Sequence, residues 1–420
     1  MVMMIDEKDL VKQALELFAN GEVDGALQTL DQAIALADET GDKLYKARVM
    51  GKKGVILLEA EQLEAAQHCL EDVLTLSEEL ENQELKADAL SNLGLLITGL
   101  GDPGTGLLKQ QEATITAREV GIPRQIMNHV GLLGHAYIQL ANMEEAGKAY
   151  IEAMKIAREI EDFDSQRGFL NNLGVIFAYL GQHKNAVRAF SELSELASES
   201  NDYVLALSAE KNLVKHAIAM EEIEDIIVHS RQGLDLIDNH LSGASEREAF
   251  EDMLLLGLMS SNNYQEAKQE LVQIIKSAEE AGDKDKLLKA VGQMADAHYA
   301  LGDLEIAEKE YKRALELSVR RQEKPIEARL LGRLAALAAD LDDLEKSNQY
   351  LANGLKLSGK LGEQELLGEQ HYLLALNYQE LGNLDKAKEH AQKAVEAYLA
   401  SGAENPSLQA SALLESLQAK

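Results

Sequence analysis

One arrangement of apolar and polar positions recurs along almost the whole chain. A small residue, often in a Leu-Gly pair, is followed by an aromatic or aliphatic one, then by a turn such as Gly-Asp, then by Ala and a second aromatic. Three stretches show it: Leu133-Gly134-His135-Ala136-Tyr137 with Ala146 and Tyr150, Leu173-Gly174-Val175-Ile176-Phe177 with Ala186 and Phe190, and Met294-Ala295-Asp296-Ala297-His298 with Ala307 and Tyr311. The second-helix position recurs as Ala26, Ala66, Gly106, Ala146, Ala186, Ile226, Ala267, Ala307, Ser347 and Ala387, in steps of 40 residues with one of 41. Chance does not hold register over that many periods, so the pattern predicts ten stacked units, each contacting its neighbours.

Each unit predicts two helices. The first runs about four turns and ends near Gly21, Gly101, Gly181, Gly302 or Gly382, where a left-handed residue costs least. Small residues on the first helix (Ala14, Gly54, Gly94, Gly134, Gly174, Ala295, Ala335, Ala375) and on the second let the pair approach closely. Tyr137, Phe177 and Tyr378 on first helices, and Tyr150, Phe190 and Tyr311 on second, fill the gap. None of the prolines (Pro103, Pro123, Pro325, Pro406) falls inside a predicted helix. The third unit departs from the pattern with Gly106 and Gln110, the sixth with Ile226 and Ser230, and both second helices are expected to pack less well.

With this pattern the chain resembles the tetratricopeptide repeat family, in the longer variety of Pins-type adaptors and kinesin light chains. The resemblance implies an all-α fold: a right-handed superhelical solenoid of about ten helix-turn-helix repeats. The expected organisation is a repeat array over 1–406 and a C-terminal capping helix over 407–420, where Leu408, Leu413, Leu414 and Leu417 fall at helical spacing. The first unit has no comparable cap, so Met1 to Ile5 is expected to leave an apolar edge open to self-association.

Composition narrows the function. Lys and Arg number 41 against 72 Asp and Glu, a formal charge of -31, which repels nucleic acid and anionic membrane surfaces. No apolar run approaches the roughly 20 residues of a membrane span, and the single cysteine, Cys69, forms no internal disulfide. A cytoplasmic protein is expected. Gly99, Gly101 and Gly104 match the glycine spacing of a dinucleotide-binding loop, but such a loop follows a strand, and these glycines close a predicted helix. The histidines form no ligand set: His129 and His135 lie on different helix faces, and His298 occupies a core slot. No cofactor, metal or enzymatic activity is expected.

In the family the first helix of each unit lines the concave groove, and four of its positions meet the ligand. That register gives forty slots here. Nine are basic (Lys8, Lys12, Arg48, Lys52, Lys211, Lys215, Lys289, Arg329, Arg333) and four acidic (Asp88, Asp252, Asp296, Glu369), where average usage would place about four and seven. The groove therefore inverts the charge balance of the chain. It also carries Asn92, Asn171, Asn172 and Asn212; the Asn-Leu pairs at 92, 172 and 212 match the Asn-Leu-Gly of Pins-type repeats, whose amide binds the backbone of an extended peptide. The expected function is a scaffold or adaptor that holds an acidic partner segment. The alternative is a peptide-sensing regulatory subunit acting on a separate effector chain.

Overall fold

A computed structural model describes residues 7–419, with side chains from residue 9 onward; Met1 to Ile5 and the side chain of Lys8 lie outside what is described. The described residues form 21 helices and no strand. They divide into two compact units, residues 1–250 and 251–420.

The first unit holds α1 (Glu7–Ala19), α2 (Val23–Thr40), α3 (Lys43–Glu59), α4 (Leu63–Glu79), α5 (Gln83–Gly99), α6 (Pro103–Val120), α7 (Pro123–Gln139), α8 (Met143–Glu159), α9 (Phe163–Tyr179), α10 (His183–Glu199), α11 (Tyr203–Met220) and α12 (Ile223–His240). The division falls within α13 (Arg247–Ser260). The second unit continues with α14 (Tyr264–Ala281), α15 (Lys284–Ala300), α16 (Leu304–Arg321), α17 (Lys324–Asp340), α18 (Leu344–Leu361), α19 (Gln364–Glu380), α20 (Leu384–Ser401) and α21 (Glu404–Gln418). Successive helices pack pairwise, the contact pattern of a solenoid.

The turns explain why the helices start and stop where they do. After each first helix one residue takes a left-handed conformation: Gly21, Glu61, Gly101, Ala141, Gly181, Glu221, Asn262, Gly302, Asp342 and Gly382. The next residue then donates its N–H to the carbonyl five positions back, as Asp102 does to Ile97 at 3.1 Å and Asn142 to Tyr137 at 2.9 Å. Glycine is expected at half of these sites, and the backbone adopts the same geometry at the others. Side chains at Asn82, Asp162, Asp202 and Asn383 cap the helices that follow by accepting a backbone N–H.

Packing of large on small holds as expected. A methyl placed on Gly174 would sit 2.6 Å from the Phe190 ring, one on Gly134 3.1 Å from Tyr150, and one on Gly54 2.6 Å from Leu70. At these distances a side chain on the glycine would have to push its neighbour aside. At the C-terminal end α21 buries Leu417 in a cluster with Ala375, Ala387 and Ala391.

The third repeat corrects the sequence reading. Its helices α5 and α6 are, with α19 and α20, the most extensively packed pair in the chain. A methyl on Gly106 would come within 2.0 Å of Thr98 Oγ1 and 2.8 Å of the Gly94 carbonyl, so the two backbones touch. Gln110, which stands where an aromatic was expected, is buried and doubly tied: Ser91 Oγ donates to its Oε1 and its Nε2 donates to the Ser91 carbonyl, both at 2.8 Å. A close approach with a satisfied amide replaces a ring in a wider gap. The sixth repeat is the weaker one, because Ser230 is fully buried and its hydroxyl has no partner among the described residues.

The one step of 41 is taken up after α12. Elsewhere two or three residues separate successive helices; here 241–246 intervene, the left-handed residue moves to Gly243, and α13 has 14 residues where other first helices between α3 and α19 have 17 or 18.

Candidate functional site

The inner side of each unit follows from which helices approach each other. In the first unit α3 touches α5 and α5 touches α7; in the second α17 touches α19; no two even-numbered helices make comparable contact. Even-numbered helices are joined instead by long side chains: Arg118 to Glu152 at 2.8 Å and Arg158 to Glu192 at 2.5 Å in the first unit, Arg313 to Glu279 at 2.5 Å and Lys346 to Glu308 at 2.6 Å in the second. The odd-numbered helices therefore line the inner side, and they carry the slots singled out in the sequence.

Among the residues of the first unit, Lys12 pairs with Glu16 one turn along its own helix at 3.8 Å. Arg48, Lys52, Lys211 and Lys215 have no ion-pair or hydrogen-bond partner among the described residues. Arg48, Lys52 and Asn92 line one cavity of about 600 Å³ between α1, α3 and α5. Asn171 and Asn172 stand half-buried on α9 without side-chain partners among the described residues, and Asn212 Nδ2 donates to the Ser208 carbonyl of its own helix at 3.0 Å. Lys211 also lines a cavity of about 680 Å³ bounded by the 241–246 loop.

In the second unit the cations are mostly engaged. Lys289 Nζ lies 2.5 Å from Asp252, Arg333 Nε 3.8 Å from Asp296, and Lys286, outside the predicted slots, 2.5 Å from Glu251. Tyr311 donates to Asp296 at 2.6 Å. Arg329 alone among the predicted sites there has no such partner among the described residues.

The decisive difference is one the slot count could not show. Inner helices α7, α9 and α11 contain only two carboxylates, Asp164 and Glu210. Asp164 is held by Arg167 at 2.5 Å, and Glu210 is buried away from the face, accepting from Ser194 at 2.5 Å and paired with His229 at 2.8 Å. In a chain with 72 Asp and Glu, three successive inner helices thus offer amides and cations with no free acid. Helix-by-helix composition carries that signal in the sequence, but only once the helices are known.

A family model described as "Tetratricopeptide repeat" matches residues 131–160, 288–318 and 371–400, each one a pairing of helices seen above. The chain carries tetratricopeptide repeats. A second model, described as "Anaphase-promoting complex subunit 5", matches residues 10–48 and 166–215. Among solved structures, the apo form of RapI is 13% identical, covers 71% of this chain and 99% of its own, and has a TM-score of 0.44. The apo quorum sensor NprR from B. thuringiensis is 19% identical, with 74% of this chain and 87% of its own covered at a TM-score of 0.41. Yeast Tom70 is 12% identical, covers 98% and 96%, and scores 0.39. No curated protein matches the sequence.

Several further groups singled out by the sequence or by their burial take part in contacts of the fold itself. Gly101 is the left-handed turn residue and Pro103 the first residue of α6, so the glycine-rich stretch closes one helix and opens the next. His298 is buried with its Nδ1 3.0 Å from Asp303. His371 and His390 face each other, Nδ1 to Nδ1, at 3.0 Å; burial, then the neighbouring His390 and Lys393, push His371 down to about 4. His229 goes the other way, since burial opposes its charge but the hydrogen bond and charge of Glu210 outweigh it. Burial pushes the Cys69 thiol up to about 11, and it donates to the Met50 carbonyl. No group of three or more metal-ligating side chains and no helix fit to cross a membrane occurs among the described residues.

Proposed function

We propose that this chain is a non-enzymatic binding module, cytoplasmic in setting, whose first unit holds an extended, carboxylate-bearing segment of another protein along its inner side. The observation that carries the reading is the face of α7, α9 and α11: Lys211 and Lys215 unpaired, Asn171, Asn172 and Asn212 alongside, and the only carboxylates of those helices engaged elsewhere. An amide supplies a donor and an acceptor together and so matches a peptide bond whatever its side chain. Unpaired cations on an anionic protein concentrate a local positive field, which draws acidic segments in and rejects basic ones. Their reach is about 8 Å at physiological salt, so the binding is salt-dependent.

The test is fluorescence anisotropy with a labelled peptide of serine, asparagine and aspartate. The variant Lys211→Glu/Lys215→Glu should lose about tenfold or more in affinity, since a reversed charge repels what the native one attracts. Unchanged affinity, with no response to salt, overturns the reading.

A further inference from the structure

The cavity between α1, α3 and α5 goes beyond a charged strip. Its floor is apolar, made by Phe18, Val55, Ile56, Leu70, Leu85 and Ala89, and its volume of about 600 Å³ is in the range of ligand pockets. Leu15 stands at its mouth, 42% exposed. Arg48 and Lys52 of α3, with Glu59 about two turns further along that helix, line one side, and Glu84 and Asp88 of α5 the other. Asp88 lies 3.3 Å from His129 Nε2; the rim is cationic at Arg48 and Lys52 and acidic at Glu84 and Asp88.

Gly51 gives the second observation. It sits in the middle of α3 and lines the cavity, where glycine is the least favourable residue after proline. Gly54, three residues on, is required by packing, because Leu70 would strike its methyl at 2.6 Å. At Gly51 nothing lies within 4 Å. The same is true of Gly168 and Gly292, so packing does not require glycine at these positions; at Gly51 the free space opens onto the apolar floor and leaves room for an occupant.

We infer that this cavity receives one large apolar side chain, of leucine or phenylalanine size, from the partner segment, with a carboxylate beside it on the side facing Arg48 and Lys52 and none on the side facing Glu84 and Asp88. The split rim supplies the complementarity: a carboxylate on the wrong side meets Asp88. The apolar floor makes the apolar residue the main anchor, and the strip of α7 to α11 holds the rest. The inference rests on the binding function proposed above and adds the motif it recognises.

The experiment uses the full chain and short fluorescein-labelled peptides of serine and asparagine that carry an aspartate block and, apart from it, a single Asp beside Phe, Leu or Ala. The peptides are made in both chain directions. The Phe and Leu peptides should bind about tenfold tighter than the Ala peptide. Gly51→Leu should abolish that preference, bringing the Phe and Leu peptides down to the affinity of the Ala peptide, without lowering the melting temperature, since its side chain enters open space. Gly51→Ala, which fills less of the space, should reduce the preference by less. Equal binding of all peptides, combined with loss of binding in Lys211→Glu/Lys215→Glu, overturns the anchor while leaving the strip standing; no binding of any peptide overturns both. A dimer that forms without peptide and dissolves on Gly51→Leu gives the cavity to a second copy and also overturns the inference.

Discussion

The inner helices of the two units differ in what their charges are doing. On α15, α17 and α19 seven carboxylates accompany the cations; Lys324 and Arg333 each find one of them, and Lys289 meets Asp252 of α13. On α7, α9 and α11 two carboxylates occur, both held, and Lys211 and Lys215 remain without partners among the described residues. Counting basic slots treats the two faces alike. Pairing separates them, because a cation already satisfied within its own protein gains little by meeting a ligand's carboxylate and loses what it had.

The largest expected effect is on binding. Reversal of Lys211 and Lys215 should cost a partner segment about tenfold or more, whereas Arg329→Glu/Arg333→Glu should weaken binding by about threefold at most and act on stability, since Arg333 offsets Asp296. Affinity and melting temperature measured on both variants decide it; the opposite ranking would place the site in the second unit.

Next comes pH. The folded value of His371, about 4, lies below the roughly 6.5 of a free histidine, and His390 is depressed too, by burial first and then by Lys393. A depressed histidine is held neutral in the fold, so the unfolded chain takes up the proton first as pH falls. Stability is whole above about 6.5 and is lost between there and about 4. His229 in the first unit is raised and gives the reverse sign, its contribution present at low pH and lost as pH rises through its folded value, while His216 is depressed by burial, His183 and Lys215. Hydrogen exchange followed from pH 7 to pH 4.5 should therefore show protection falling more steeply around α19 and α20 than around α11 and α12; equal loss would break the contrast. After allowance for partial exposure the His371 contribution is on the order of 1 kcal/mol.

Gly106→Ala should destabilise the chain by about 1–3 kcal/mol, because its methyl meets backbone as well as Thr98. The smallest effect is at the turns: Ala141→Gly should stabilise by about 1 kcal/mol, by relieving a left-handed non-glycine residue. Denaturant melts measure both.

These variants also mark how far the sequence carried. The period, the helix pairs and the ring-on-glycine contacts were legible because they depend on side-chain size at fixed spacing, as with Phe190 on Gly174. The third repeat was misjudged because Gly106 and Gln110 are each poor by that measure; only together, with Gly94 and Ser91 opposite, do they make a tight joint. Pairing was hidden for a different reason. Lys289 meets Asp252 and Arg333 meets Asp296, each 37 residues earlier, an offset set by how far one repeat is rotated on the next. Gly51 lies outside the small-residue positions of the repeat, and the space around it shows only in the fold.

The recurrent left-handed turn acts as a frame mark. One residue added inside a helix would rotate everything beyond it by about 100°, swinging inner-side residues such as Lys211 and Asn212 toward a neighbouring helix. A residue added at a turn shifts the mark and leaves the faces alone, which is how the single 41-residue step is absorbed at 241–246. A lineage of such proteins can therefore lengthen freely only between helices, and a designer who wishes to insert a tag, a linker or a sensor has the same short menu of places.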